Sequence, residues 1–175
     1  TSLTGGNVQA NANLNGRTAS VIVNQVTSTG NAYASMLNGP LEVFGAPATV
    51  VIANPNGITI NGGSFVNTGH VALATGNVSF NDLQIAPGVI QRNIVLDTST
   101  GTIVVGPGGL AGALIGLDMI AKTIRVDGPI DNTFSSATAG VRLLAGRSRV
   151  ELNTGLSPTD NANDWLARGA TTNPD

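Results

Sequence analysis

Short β-type runs separated by turn-forming corners are the feature that most constrains this sequence. The runs are rich in Val, Ile, Leu and Ala, and at about four to eight residues each they have the length of strands. The corners at 54–57, 61–63, 75–77 and 127–129 contain Gly, Asn or Pro, which supply positive φ or preset turns. The pattern predicts an all-β chain that turns often.

The centres of several runs are separated by roughly 20 residues or a small multiple, which is the range of solenoid repeats. These centres are Val50, Val71, Ile103, Ile124 and Leu143. A β-sandwich could use similar strands. Stacked coils, however, tolerate Asn, Thr and Gly at their corners, and each coil is covered by its neighbours and needs little charge. We therefore predict a right-handed parallel β-helix.

The composition agrees with this fold and argues against several classes of function. Charged residues make up 10% of the 175 residues and aromatic residues 3%, with no cysteine and a net charge of −2. The sequence lacks the clustered Lys or Arg residues that bind nucleic acid. It also lacks the cysteine thiolates that bind metal ions. We expect no nucleic acid partner, no nucleotide, no metal and no cofactor.

One segment departs from the repeat. Two strand-like runs within Asn93–Val105 flank residues 97–101, a short link that contains glycine. Such a link is typical of a hairpin. We predict an antiparallel β-hairpin outside the helix at Asn93–Val105.

The composition changes again near the C-terminus, where polar residues replace the strand pattern. We predict a β-helical unit over residues 1–155 and a terminal loop or short helical tail over residues 156–175. Asp164 is placed to cap a helical turn that ends at Arg168. Trp165, the single tryptophan, is expected to dock this tail on the body.

The most specific pattern lies between Val51 and Gly76. It consists of Asn54-Pro55-Asn56-Gly57-Ile58, then Asn61-Gly62, Phe65-Val66-Asn67-Thr68 and Leu73-Ala74-Thr75-Gly76. In this order the motifs resemble the haemagglutination-activity, or two-partner-secretion, domain of filamentous haemagglutinins and contact-dependent inhibition effectors. The resemblance extends from about Leu14 to Leu152.

A second motif of that family, Asn-Pro-Asn-Leu, corresponds here to Asn11-Ala12-Asn13-Leu14. Alanine replaces proline, which weakens the preset turn. The family domain begins well before this motif, so we expect its N-terminal cap to lie outside this chain. Some relatives carry a cysteine pair after the first motif. Ile60 and Gly63 stand there in this chain, and no disulfide carries over.

The resemblance implies a monomeric export module of a large exoprotein, secreted or at the cell surface, that passes through the periplasm of a Gram-negative bacterium. The implied partner is an outer-membrane transporter that recognises the module through its periplasmic POTRA domains. A parallel β-helix grows by adding coils to an edge, so the first coils also serve as a folding nucleus. Two alternatives stay open: an adhesive module that binds glycan or a host receptor, and a polysaccharide-active enzyme.

The first motif has two interpretations. As a structural corner, Pro55 fixes φ, Asn56-Gly57 takes positive φ, and Asn54 hydrogen-bonds the backbone. As a recognition element, Asn54 to Ile58 contact the transporter directly. Turn chemistry favours the corner, and either role makes the motif necessary for export.

A loose dinucleotide fingerprint appears at 102–111, with Asp127 closing the next strand. Pro107 stiffens the turn, and Gly112 and Gly116 weaken the helix that such a site requires. We interpret this stretch as another coil.

The titratable residues do not form a convincing catalytic set. Asp118, Asp127 and Asp131 are the densest acidic group, but a glycosidase needs two carboxylates that face one cleft. His70 and Ser64 lack a partner acid, and His70 is expected to be an exposed strand residue. We predict that the domain is not an enzyme.

Three arginines, Arg142, Arg147 and Arg149, lie close together near the C-terminus. We expect them to be solvated or paired with Glu151 rather than to bind a ligand.

Overall fold

Short strands make up most of the chain. The computed structural model describes the backbone of residues 2–134 and 140–172, and the side chains of these ranges up to residue 166. Two 3₁₀ turns occupy Ala12–Leu14 and Asn31–Tyr33. In chain order the strands are β1 (Val21–Gln25), β2 (Ser35–Leu37), β3 (Pro40–Glu42), β4 (Ala48–Ala53), β5 (Ile58–Ile60), β6 (Gly63–Val66), β7 (Thr68–Ala74), β8 (Asn77–Ala86), β9 (Val89–Thr98), β10 (Thr102–Val105), β11 (Leu110–Gly112), β12 (Gly116–Ala121), β13 (Thr123–Val126), β14 (Ile130–Asn132), β15 (Gly140–Ala145), β16 (Ser148–Leu152) and β17 (Leu166–Thr172).

Three parallel sheets are built from the same coils. The first sheet has the order β1-β4-β7-β12-β15, the second β2-β5-β10-β13 and the third β3-β6-β11-β14. Each of the first four coils therefore adds one strand to every sheet. This arrangement is a parallel β-helix, and the predicted fold class is confirmed. In the part of the chain that is described, no helix is long and apolar enough to cross a membrane.

The strand registers explain the repeat in the sequence. Val50 pairs with Val71 in the first sheet, and Ile103 pairs with Ile124 in the second. A spacing of roughly 20 residues is thus the length of one coil. Leu143 lies in the first sheet, so the predicted strand centres belong to two different sheets.

Aliphatic rows fill the interior of the coils. Residues in register on neighbouring parallel strands point to the same side, so like side chains stack from coil to coil. The buried interior includes Val50, Ile52, Val71, Leu73, Leu117 and Met119 from the first sheet, Ile58, Ile60, Ile103 and Val105 from the second, and Phe65 and Leu110 from the third. Full burial of each large side chain contributes about 1.5–3 kcal/mol.

A second core lies on the outer face of the first sheet. An antiparallel sheet of order β8-β9-β16-β17 covers this face. Ala72 and Ile120 belong to the same buried cluster as Leu96, Val150 and Leu152. The strands β4 and β7 are therefore buried at every position, as expected for strands that are covered on both sides.

The hairpin lies outside the coils and is antiparallel, but its predicted position at Asn93–Val105 is wrong. Strands β8 and β9 pair across the two-residue link Pro87-Gly88. Strand β10 instead pairs in parallel with β5 and β13. Residues 99–101 form the corner that returns the chain to the coil. The Pro-Gly pair is the stronger hairpin signal, because its residue types suit a two-residue turn.

The predicted helical turn from Asp164 to Arg168 is also wrong. Residues 153–165 form an irregular loop, and β17 then pairs antiparallel with β16. At the end of this loop, the Asp164 side chain accepts a hydrogen bond from the Leu166 amide at 2.9 Å. Pairing with the available edge of β16 outweighs local helix propensity. Trp165 docks on the body as predicted, with 3% of its surface exposed. The boundary between the β-helical unit and the tail at residue 155 stays a prediction.

Glu42 on β3 holds the N-terminal segment. Its carboxylate accepts hydrogen bonds from the Ser2 hydroxyl, the Leu3 amide at 2.8 Å and both the amide and the hydroxyl of Thr4 at 2.9 and 2.7 Å. These hydrogen bonds, with that of Ser2 the largest, lower the pKa of Glu42 from 4.5 to about 2.

We expect this contact to be sensitive to acid. A carboxyl group whose pKa is lower in the folded state stabilises the fold above its unfolded pKa and loses that effect as the pH falls through its folded pKa. Glu42→Gln should therefore lose less stability than the wild type between pH 4.5 and about 2. Thermal melts of both proteins across this range measure the difference, and parallel pH curves would contradict it.

The interior rows predict a position-dependent cost of truncation. Leu73 is fully buried, whereas Leu143 on the last strand of the first sheet is 48% exposed. We expect Leu73→Ala to lower the free energy of unfolding by about 2–5 kcal/mol, since it leaves a cavity. Leu143→Ala is the matched control and should cost about 1 kcal/mol or less. Urea denaturation followed by circular dichroism measures both, and equal costs would contradict stacked interior rows.

Candidate functional site

The motif Asn54 to Ile58 forms the corner between β4 and β5. The Gly57 amide donates to the Asn54 carbonyl at 3.1 Å, which closes a turn. The Asn54 side-chain oxygen accepts from the backbone amide of Asn56 at 2.9 Å and from its side-chain amide at 2.8 Å. The corner is therefore held by its own asparagine side chains.

Asn54 also joins three successive coils. Its side-chain amide donates to the Tyr33 carbonyl at 2.7 Å and to the Ser35 hydroxyl at 2.8 Å, both in the first coil. Its backbone amide donates to the Ala74 carbonyl at 2.8 Å in the third. The residue is 0% exposed, so the Asn54 end of each of these bonds is shielded from water.

Asn56 fastens the loop of the first coil. Its side-chain amide donates to the Ser28 carbonyl at 2.7 Å, and its side-chain oxygen accepts from the Gly30 amide at 2.8 Å. Pro55 and Asn56 are half-buried. They are the members of the motif that keep accessible surface.

Gly57 and Ile58 set the direction of the next strand. Gly57 has φ of +115°, and a Cβ built there would lie 3.1 Å from the Thr102 carbonyl oxygen. This conformation is rarely open to residues other than glycine. Ile58 then enters the interior with 1% of its surface exposed, in register with Ser35 and Ile103.

The second motif forms a 3₁₀ turn near the N-terminus. The Asn11 side chain accepts from the Asn13 amide at 3.0 Å, and the Leu14 amide donates to the Asn11 carbonyl at 3.1 Å. Asn11 and Asn13 are exposed, and Leu14 is half-buried. Among the described contacts, no hydrogen bond joins this turn to the first motif.

The glycine-rich stretch at 102–111 is a corner of the third coil. Strand β10 runs through a turn, closed by the Gly109 amide on the Gly106 carbonyl at 2.9 Å, into strand β11 and not into a helix. The Gly108 amide donates to the Asn61 side chain at 2.7 Å. The geometry of a dinucleotide site, in which a helix N-terminus follows the loop, is not formed.

The three acidic residues lie in different parts of one coil. Asp118 is on β12 in the first sheet, Asp131 is on β14 in the third, and Asp127 follows β13. Asp127 pairs with Arg125 at 2.8 Å. Asp118 is 2% exposed and pairs with Arg142 at 3.0 Å. The structure therefore does not bring these residues together as a pair facing one cleft.

His70 is buried, with 4% of its surface exposed, and the expectation of an exposed strand residue is wrong. Its ring stacks on Trp165 with 5.1 Å between centroids. This places an aromatic pair beside the Asp118 carboxylate, to which the Trp165 indole N–H donates. The sequence feature that indicates this buried cluster is the Asp118 carboxylate, which interrupts the apolar run Leu117–Ile120. Burial raises the pKa of Asp118, opposed by the Arg142 charge and the Trp165 hydrogen bond.

Two of the three C-terminal arginines form ion pairs with different acidic residues and do not combine into one basic patch. Arg142 pairs with Asp118 and Asp164, and Arg149 pairs with Asp97 at 3.0 Å. The predicted partner Glu151 is buried and accepts hydrogen bonds from two asparagines, Asn81 and Asn93.

Known proteins are similar to this chain in sequence, and a solved structure is similar to it in fold. The chain is 34% identical over 148 residues to the Filamentous hemagglutinin of Bordetella pertussis. The aligned region covers 84% of this chain and 4% of that protein. The chain is 37% identical to a tRNA nuclease CdiA of Yersinia mollaretii, with the same coverage, and 38% identical to a Hemolysin of Proteus mirabilis, over 77% of this chain and 8% of that protein. The crystal structure of a filamentous hemagglutinin secretion domain has a TM-score of 0.62 and 33% identity, over 75% of this chain and 41% of the other.

These likenesses and the β-helix define a secretion module of exported proteins. The profile of the TPS secretion domain matches residues 4–174, and the chain belongs to that family. The predicted family is therefore confirmed, and with it a secreted or cell-surface location reached through the periplasm of a Gram-negative bacterium. The family also implies interaction with a two-partner secretion transporter. The chain spans a small part of its full-length relatives.

The burial of Asn54 predicts a large cost of truncation. Asn54→Ala removes the side-chain hydrogen bonds to the Tyr33 carbonyl and the Asn56 amide, and each such bond contributes about 0.5–1.5 kcal/mol net. Asn13→Ala is the control, since Asn13 is exposed, and it should change the free energy of unfolding by about 0.5 kcal/mol or less. Urea denaturation compares the two. Equal stabilities would show that the Asn54 hydrogen bonds do not hold the corner.

Proposed function

We propose that this module directs its exoprotein to the outer-membrane transporter and then nucleates the folding of the β-helix. The periplasmic POTRA domains of the transporter are the proposed receptor. The family supports the export role, and the architecture supports the folding role. Binding and folding suffice for both, so the module is proposed to act as a monomer, without turnover, nucleotide or cofactor.

The observation that carries this proposal is the bonding of the Asn54 corner to three coils. A β-helix is extended by adding coils to an existing edge, and its first coils have the fewest neighbours. Asn54 contacts the first coil through Tyr33 and Ser35 and the third coil through Ala74. A corner that fixes three coils at once favours formation of the initial stack.

The far end of the stack is suited to growth. Strand β15 is the last strand of the first sheet, and its interior-facing residues Val141 and Leu143 are 42% and 48% exposed. The parallel edge and this apolar surface would template a further coil. Exoprotein chain that follows the module is the proposed occupant.

The accessible residues of the two motifs suit direct recognition, and the buried ones suit folding. Asn54, Gly57 and Ile58 are buried, whereas Asn11 and Asn13 are exposed. We therefore assign the first motif mainly to corner formation and the second to a surface that is available to the transporter.

The test is secretion of the Gly57→Val variant of the exoprotein that carries this module, with its cognate transporter. A β-branched residue forced to positive φ costs about 1–3 kcal/mol, and here it would also press on the Thr102 carbonyl. Secreted protein should fall and periplasmic degradation products should rise. Asn56→Ala should have a smaller effect, because it leaves the backbone turn in place.

Gly88→Val is the matched control. Gly88 also has positive φ, +75°, but it lies in open space at the hairpin turn, outside the coils. This variant should be secreted far better than Gly57→Val. If Gly57→Val is secreted and melts as the wild type does, the corner is neither a nucleus nor a recognition element. If it folds normally but stays in the periplasm, direct recognition replaces the folding role of the corner.

A further inference from the structure

The loop at residues 153–165, here called the strap, crosses from the antiparallel sheet to the coils. Its first residues are tied to β9. The Gln91 side-chain amide donates to the Asn153 side chain at 2.8 Å, and the Thr154 hydroxyl donates to the Arg92 carbonyl at 2.8 Å. The strap therefore begins on the extrahelical sheet.

The middle of the strap lies directly on strand β7. A Cβ built on Gly69 would lie 1.7 Å from the Pro158 carbonyl oxygen, so the strap backbone occupies the space of a side chain there. Two residues further along the strap, the Asp160 carbonyl lies 3.1 Å from Nε2 of His70. The strap is thus seated on the third coil.

The end of the strap reaches the fourth and fifth coils. Trp165 stacks on His70 and donates its indole N–H to Asp118 on β12. Asp164 pairs with Arg142 on β15 at 2.9 Å, and Arg142 in turn pairs with Asp118 at 3.0 Å. Ring stacking, a hydrogen bond and one ion pair therefore connect the strap to β7, β12 and β15, and a second ion pair joins β12 to β15 beneath it.

The strap packs on the outer face of the first sheet, where Trp165 belongs to the second core, and it takes no part in the interior of the coils. Strands β7, β12 and β15 pair through their own backbone ladders, and their interior faces pack without the strap. Asp118 is 2% exposed while the strap lies over it. If the strap lifts, water reaches the carboxylate, so the open form holds no unpaired buried charge.

We infer that the strap closes over already formed coils as a separate step and opens without unfolding them. In the closed form it locks the last three coils of the first sheet to one another and to the extrahelical sheet. The module then has an open and a closed state that differ in the strap and share one β-helix. This inference concerns the isolated module and does not depend on recognition by the transporter.

Trp165, the single tryptophan of the chain, reports the state of the strap. In the wild type, a urea titration should expose Trp165 to acrylamide quenching at a lower urea concentration than the loss of the β circular dichroism signal. Coincident transitions by the two probes would show one cooperative unit and overturn the inference.

Gly69→Ala is the variant that lifts the strap. Its Cβ collides with the Pro158 carbonyl, whereas Gly69 itself has no positive φ that would strain the coil. Acrylamide quenching of Trp165 without urea should rise by about twofold or more, as for a ring that moves from 3% exposure into solvent. The β circular dichroism signal should stay unchanged.

Gly39→Ala is the matched control, since Gly39 also lacks positive φ and has nothing within 4 Å of an added Cβ. It should behave as the wild type in both measurements. The inference is overturned if Gly69→Ala keeps wild-type quenching. If the variant loses its β signal, it does not fold, and the wild-type urea titration then decides.

Discussion

The in-register stacking of parallel coils is the constraint on which the rest of the structure depends. A parallel strand satisfies its backbone groups only on strands of neighbouring coils, so every coil is a template for the next. The register also places like side chains above one another, as Val50 and Val71 show. A single corner with the wrong geometry would shift a strand and turn its apolar residues away from the interior.

The first sheet differs from the other two because it is covered on both faces. The antiparallel sheet buries Ala72 and Ile120 on the outer side, while Leu73 and Leu117 fill the coils on the inner side. This two-sided burial accounts for continuous apolar runs where one-sided strands alternate. The chain has only 10% charged residues and still buries two cores, because uncharged polar residues such as asparagine form many of its corners.

Polar groups inside the molecule are concentrated where coils must be joined. Asn54 satisfies backbone and side-chain partners in neighbouring coils, and Asp118 is held between Arg142 and Trp165. Both are almost fully buried, so their hydrogen bonds fix geometry more strictly than apolar contacts do. The first joins coils at the family motif, and the second joins the finished coils to the strap. Both polar sites thus hold the same stack of strands.

The sequence alone predicts the β-helix, the coil length and the Asn54 corner, because turn residues and short aliphatic runs act locally and their order recurs along the chain. It did not determine which runs share a sheet, where the hairpin lies, or that residues 166–172 form a strand. Nor did it show that His70 is buried under Trp165, 95 positions away in the sequence. The tertiary structure decided these features, because strand pairing and burial depend on which edge and which face are left open once the coils have formed.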